Sequence, residues 1–134
     1  MVIIDNILKT LINIYNMNEI DWLGYKLQDR FSYHHIIKKC DGGKRTLDNG
    51  AVLFQTSHSY LHTIENYDIE KYILLNKILK DINTQRYMST EEQLRQIDYI
   101  LSQFENEYED YISSRDKKII KDEYKERILW KKKV

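Results

Sequence analysis

The chain has four histidines, and all of them lie in one part of the sequence: His34, His35, His58 and His62. An α-helix places residues i and i+4 on one face, so a helix over the second pair would let both rings bind one metal ion. A third ligand would then come from the first pair, since neighbours on a β-strand point to opposite faces and only one ring could reach the ion. The other ring stays free for chemistry. Considered singly, each histidine is more simply a buried residue with satisfied ring nitrogens, whereas the four together predict a metal site.

The order of these residues resembles the motif of the HNH endonucleases, which are members of the His-Me finger, or ββα-metal, nucleases. The shared pattern comprises, in order, His34-His35, Gly42-Gly43, Asn49 and His58-x-x-x-His62. Asn49 follows His35 by 14 residues and His58 follows His34 by 24, close to the spacing in colicin-type DNases. The resemblance covers residues 32 to about 65 and suggests a small protein of a low-GC bacterium or its phages.

The resemblance implies a role for each residue of the motif. His35 would be the general base that withdraws a proton from the attacking water, and Asn49 would orient its imidazole. His34, His58 and His62 would bind one divalent ion, which would stabilise charge on the phosphate and the leaving oxygen. Asn49 also stands in "DNG", an ordinary turn signal in which Asn or Gly adopts positive φ, and both roles can hold together.

The nature of the three ligands bears on the metal. Many HNH enzymes have Asp where His34 stands in this sequence. Three imidazoles suit Zn, Ni, Co or Mn better than Mg, which prefers oxygen ligands. The implied cofactor is therefore one divalent ion, Zn, Ni, Mn or Mg, with its identity left open.

Four basic residues lie close to the motif: Lys38, Lys39, Lys44 and Arg45. Cations beside a nuclease site would bind the phosphates of DNA, so these residues are candidate nucleic-acid contacts. Solvated loop residues are the alternative interpretation of the same four side chains.

Hydrophobic periodicity predicts a compact, mostly helical domain with one small hairpin. Together with the resemblance, this implies an α+β, predominantly helical fold in which the ββα-metal hairpin and helix are embedded in a small helical domain. We expect a helix over residues 3–16, strands in "SYHHIIKK" and "GAVLF", and a helix capped by Thr56 or Ser57. Further helices follow over about 67–130, one of them beginning with a capping box of Ser89 and Glu92. Trp22 is expected in the core, although stacking on a nucleobase is an alternative. The length of 134 residues predicts one domain, 1–134, with the HNH-like core at about 32–65.

The overall charge gives no general attraction to nucleic acid or membrane, since 21 basic residues balance 21 acidic ones. Residues 89–113 nevertheless carry a net charge of −6 and residues 114–134 a net charge of +5. The single cysteine, Cys40, fits a reducing compartment, and "MVIIDNILKTLINIYN" is interrupted by polar residues unlike a signal peptide or membrane span. We therefore expect a cytoplasmic protein of a bacterial host or phage-infected cell.

Two functions from different classes follow from these observations. The first is a metal-dependent endonuclease that hydrolyses DNA phosphodiester bonds with His35 as general base. The second is a nonenzymatic protein of the same fold that keeps the metal as a structural element and binds a protein partner, for example as a phage anti-defence factor, through its helical or acidic surface. Neutral net charge favours the second function, and the histidine motif favours the first.

Overall fold

The computed structural model describes residues 6–17, 19–26 and 29–108. In these ranges it contains four α-helices and one antiparallel pair of strands, which run in the order α1 (Asn6–Tyr15), β1 (Phe31–His35), β2 (Gly50–Phe54), α2 (Gln55–Tyr67), α3 (Ile69–Gln85) and α4 (Glu91–Tyr108). The predicted α+β, predominantly helical fold is confirmed. The helix predicted within the basic C-terminal segment, up to about residue 130, lies outside the described residues.

The two strands form the predicted hairpin with a long connecting loop. Their antiparallel register pairs Phe31 with Phe54 at one end and His35 with Gly50 at the other. β1 is shorter than the sequence suggested, because the chain leaves the strand after His35 and enters a loop with two 3₁₀ turns. Gly42 has a φ of 90° in this loop, as the turn signal predicted.

β2 is covered on all sides, and its five residues are all buried. α1 packs against it, as do α2 and α3. A side chain at Gly50 would collide with the Tyr33 ring, since a Cβ built there lies 2.3 Å from Tyr33 Cε2. Trp22 is fully buried in the same core, which confirms its predicted packing role. The hairpin is thus held at a fixed position inside the helical domain.

The start of α2 is capped differently from the prediction. α2 begins at Gln55, and the expected caps, Thr56 and Ser57, both donate their hydroxyls to aspartates of the segment between α1 and β1. Asp29 accepts from the backbone N–H of Thr56 at 3.0 Å, while Asp21 accepts from that of Phe54 at 3.1 Å. Two carboxylates distant in sequence therefore each accept from one backbone N–H group at this end of the helix.

Asp21 is completely buried and organises several segments at once. Besides Phe54 and Ser57, its carboxylate accepts from the backbone N–H groups of Leu23 and Tyr25, each at 3.0 Å. Burial raises the pKa of Asp21 to about 6, although these hydrogen bonds oppose the shift. The residue joins the Trp22 turn to the junction of β2 and α2.

α4 begins with a capping box one residue later than predicted. Thr90 Oγ1 accepts from Gln93 N at 3.1 Å, and Gln93 Oε1 accepts from Thr90 N at 2.9 Å. Ser89, the predicted cap, instead donates to the carbonyl of Trp22 at 2.7 Å. The prediction of Ser89 with Glu92 was wrong because the Ser89 hydroxyl is engaged by a distant turn. Within the described ranges, no helix has the length and apolar character needed to cross a membrane.

Candidate metal centre

The hairpin and α2 bring three of the four histidines together. His34 reaches the cluster from β1, and His58 and His62 lie one turn apart on α2. One nitrogen of each ring lies within 4.8 Å of the other two. His34 Nδ1 is 3.4 Å from His58 Nε2, which is 3.1 Å from His62 Nε2. Ligands placed about 2.0–2.1 Å from a tetrahedral zinc ion would be roughly 3.3 Å apart, so the observed spacing suits a shared ion.

The protonation of the His34 ring follows from its contact with Asn76. The Asn76 side-chain Nδ2 donates to the carbonyl of Ile36 at 2.5 Å, which leaves Oδ1 facing His34 Nε2 at 2.8 Å. An amide oxygen can only accept, so His34 Nε2 must carry the hydrogen. His34 Nδ1 therefore presents a lone pair to the cluster.

The two histidines of α2 are fixed in the same way. The Ser32 hydroxyl donates to the carbonyl of Leu53 at 3.2 Å, so its oxygen accepts from His58 Nδ1 at 2.9 Å. Glu65 Oε1 accepts from His62 Nδ1 at 3.0 Å. In its neutral form, each ring thus carries its hydrogen on Nδ1 and presents the Nε2 lone pair.

With all three rings neutral, their lone pairs face one another, and the short contacts within the cluster are then not hydrogen bonds. Facing nitrogen lone pairs repel each other, and a cation between them would make the arrangement favourable. Metal-binding histidines commonly donate their second ring N–H to a carboxylate, amide or carbonyl oxygen, as these three do to protein oxygens. The residues present therefore fit a divalent ion, and three imidazoles favour zinc, nickel, cobalt or manganese over magnesium.

The cluster has a buried side and an open side. His34 is only 1% exposed, and burial lowers its pKa to about 3, while burial lowers the pKa of His58 to about 4. Both rings are therefore held in the neutral form that a metal ligand requires. The His62 side chain is 45% exposed, so the cluster opens to solvent on that side. An open side suits a catalytic ion, which keeps positions for water or substrate.

His35 points away from the three ligands, as expected for its strand neighbour. Its ring packs edge-on against the Tyr33 ring, with ring centroids 4.8 Å apart. The Arg45 guanidinium lies 4.3 Å from the centroid of the same Tyr33 ring. His35 nevertheless stays next to the cluster, since it directly follows His34 on β1. Its own pKa is lowered by burial and by the charges of Arg45 and Lys39. A neutral imidazole thus lies beside the candidate metal centre.

Asn49 closes the loop between the strands. Its Oδ1 accepts from Ile37 N at 2.7 Å, and its Nδ2 donates to the carbonyls of Ile37 and Lys44, each at 3.0 Å. Its carbonyl also accepts from Ile36 N at 2.9 Å. Positive φ was expected for Asn49 or Gly50, but Gly50 has a φ of −111° and the strand begins there directly. These bonds fix the backbone that directly follows His35, and all of the Asn49 side-chain bonds go to backbone groups of Ile37 and Lys44.

The four basic residues lie in different surroundings. Lys38 forms an ion pair with Glu65, the same carboxylate that accepts from His62. Lys39, Lys44 and Arg45 are exposed on the loop between the strands. These three side chains are exposed to solvent, and the charge of Lys38 is balanced by Glu65 within the site.

Three residues that accept hydrogen bonds from the clustered histidines were not identified from the sequence. Ser32 lies two residues before His34 on the same strand face, and Glu65 lies three residues after His62 on the same helix face. Their spacing could have identified both. Asn76 is a polar residue beside the apolar stripe of α3, which marks it as unusual but not as a partner of His34.

Comparison of the chain with protein-family models, with curated proteins and with solved structures finds no match in any of the three.

Proposed function

We propose that the protein is a metal-dependent endonuclease of the HNH type that hydrolyses phosphodiester bonds in DNA. The observation that carries this proposal is the set of three imidazoles, His34, His58 and His62, whose ring nitrogens lie within 4.8 Å of one another, with a fourth imidazole, His35, adjacent in the chain to His34. The strand, strand and helix that present these residues have the order and connection of the ββα-metal motif. A divalent ion bound there would supply charge stabilisation for the phosphate and the leaving oxygen.

The residues of the chain divide the remaining chemistry among them. A ring nitrogen of His35 accepts the proton of a water molecule as its oxygen attacks phosphorus. The bond from phosphorus to the 3′ oxygen breaks, which leaves a 3′-hydroxyl after proton uptake and a 5′-phosphate. Tyr33 supports the His35 ring and is itself fixed, since its hydroxyl donates to Thr46 O at 2.8 Å and accepts from Thr46 N at 3.0 Å.

The exposed cations explain how DNA would be placed. Arg45 lies over the Tyr33 ring, and His35 packs edge-on against that ring, so a phosphate bound at Arg45 would lie close to the general base His35. Lys39 and Lys44 extend the positive charge along the same loop. Contacts of this kind position the backbone and carry no sequence preference, so we expect cleavage with little sequence specificity.

The test is cleavage of supercoiled plasmid by the purified chain with Mg, Mn, Co, Ni or Zn. Wild type is compared with His35→Ala and with Tyr99→Ala, a matched control that removes an exposed aromatic ring of α4. We expect metal-dependent nicking by wild type and by the Tyr99 variant, and loss of nicking in the His35 variant. Activity that is equal in all three proteins would identify a contaminant and contradict the proposal.

A nonenzymatic role for the same centre predicts a different result. The ion would then join β1, α2 and α3, and it would contribute folding energy without turnover. If no ion supports cleavage although the wild type binds metal tightly, the structural role is the correct one.

A further inference from the structure

We propose that Asn76 of α3 is a positioning residue of the metal centre, which selects the nitrogen of His34 that faces the ion. The hairpin and α2 alone make up the HNH-like motif, so this assigns part of the centre to an element outside it. The inference rests on the metal centre of the proposed function, but it does not depend on nuclease activity.

The Asn76 amide can satisfy its two contacts in one orientation only. The Ile36 carbonyl accepts from Nδ2, and His34 Nε2 donates to Oδ1. Rotating the amide would place Oδ1 against the carbonyl oxygen of Ile36, so that two acceptors would be in contact. The hydrogen on His34 would then move to Nδ1 and point at His58 Nε2, only 3.4 Å away. The Ile36 carbonyl therefore sets the amide, and the amide keeps His34 Nδ1 available for metal.

The contact also links the metal ligand to the candidate base. Ile36 directly follows His35, and its carbonyl is the group that Asn76 binds. One side chain therefore fixes the ring of His34 and the backbone at the end of β1. Loss of Asn76 would loosen both residues together.

α3 presents this amide from a packed surface. Leu75 and Leu79, on either side of Asn76, are fully buried, and α3 packs against both α2 and β2. Tyr72, one turn earlier, lies with its ring centroid 6.3 Å from the rings of both His34 and His62. Such packing holds the side chains that surround a metal site in one rotamer, as ligand orientation requires.

Asn83, two turns further along α3, offers a matched control. Its Nδ2 donates to the carbonyls of Leu47 and Gly50, each at 2.7 Å. Like Asn76, it joins α3 to the hairpin through backbone carbonyls, but neither of these contacts involves a histidine. Asn83→Ala therefore removes a similar structural connection and leaves the metal ligands in place.

The experiment measures Co²⁺ affinity and the Co²⁺ absorption spectrum for wild type, Asn76→Ala, Asn76→Asp and Asn83→Ala. We expect Asn76→Ala to lose about 10- to 100-fold in affinity with an altered spectrum, and Asn83→Ala to keep the wild-type affinity despite lower stability. Asn76→Asp still accepts from His34 Nε2, so it should retain affinity although it loses the donor to Ile36. Equal affinities for Asn76→Ala and Asn83→Ala would make Asn76 merely structural and overturn the proposal.

A measurement on the wild type avoids any folding defect in the variants. Histidine ¹⁵N spectra should show His34 protonated at Nε2 with Co²⁺ absent, and ¹¹³Cd coupling should report binding through Nδ1. Binding through His34 Nε2, or no binding of Co²⁺ or Cd²⁺ by wild type, would overturn the proposal. Tight metal binding without plasmid cleavage would refute the nuclease function alone and leave the role of Asn76 supported.

Discussion

His34 and His35 are adjacent in the chain but lie in different surroundings. His34 is buried among His58, His62 and Asn76, whereas His35 packs on Tyr33 at the end of the strand. The alternation of side chains along β1 separates them, and it could be predicted from the sequence because it depends only on strand geometry. The hydrogen bonds that set each ring's tautomer could not, since Asn76 lies 42 residues away in the chain.

Among the exposed basic residues, we expect Arg45 to contribute most to the binding of DNA phosphate. Arg45→Gln keeps a polar side chain over the Tyr33 ring but removes the charge, so DNA affinity should fall. The slope of log affinity against log salt should decrease by about one, as for loss of one phosphate contact. Fluorescence anisotropy with a labelled duplex at several salt concentrations measures both quantities.

Lys77→Gln is the control for this measurement. Lys77 lies on the groove between α3 and α4 and is not part of the loop between the strands. If the Lys77 variant loses the same affinity and salt slope as the Arg45 variant, DNA binding is a general property of surface charge and the loop has no special role.

At the scale of elements, the helices and strands followed from local patterns, but several of their ends did not. β2 has the predicted bounds, Gly50 to Phe54. By contrast, Asp21 and Asp29 supply the oxygens that accept hydrogen bonds at the start of α2. The Ser89 hydroxyl donates to the carbonyl of Trp22. A cap supplied from a distant segment has no signal in the neighbouring sequence, so local rules assign the cap to the wrong residue.

The cap of α4 gives a direct test of that correction. Thr90→Ala removes the hydroxyl that accepts from Gln93 N and should lower the free energy of unfolding by about 1 kcal/mol. Glu92→Ala removes only an exposed ion pair with Arg95 and should have a smaller effect. Urea denaturation measures the free energy of unfolding of both variants. A larger decrease for Glu92→Ala than for Thr90→Ala would support the capping box of Ser89 and Glu92 instead.

Asp21 predicts a specific pH dependence of stability. Its pKa is 3.8 in an unfolded chain and about 6 in the folded protein, so the folded state binds the proton more tightly. The stability that protonation of Asp21 contributes to the folded state is complete below about pH 4, and it is lost as pH rises to about 6. The shift of about two units corresponds to roughly 3 kcal/mol.

Asp21→Asn has a neutral side chain throughout this range and should not show the same loss. As pH rises from about 4.5 to 7, the free energy of unfolding of wild type should therefore fall relative to that of Asp21→Asn. Urea denaturation at intervals of pH measures it, with the exposed Asp81→Asn as control. A difference that stays constant with pH would show that the Asp21 pKa is not raised.

At the scale of the whole molecule, the candidate centre joins the hairpin, α2 and α3. The described residues share a hydrophobic core that includes residues of all four helices. An ion that binds only the folded chain stabilises it by about 2.7 kcal/mol at 100 times its Kd, which corresponds to a rise in Tm of about 10 °C. Differential scanning fluorimetry with Zn, Co, Ni or Mn measures this rise, and a chelator should reverse it.

His58→Ala tests whether that stabilisation arises at the centre. The variant loses the middle nitrogen of the cluster, so metal should no longer raise its Tm. An equal rise in wild type and variant would place metal binding elsewhere on the chain and remove the basis for the candidate centre.

The central claim is that the histidines divide into three ligands and one base. It is tested most directly by measuring Co²⁺ affinity and plasmid cleavage on the same preparations of wild type, His35→Ala and His58→Ala. We predict that His35→Ala binds Co²⁺ as wild type does but does not cleave DNA, whereas His58→Ala loses Co²⁺ affinity and cleavage together. Equal loss of Co²⁺ affinity in both variants, or cleavage retained by His35→Ala, would contradict this division.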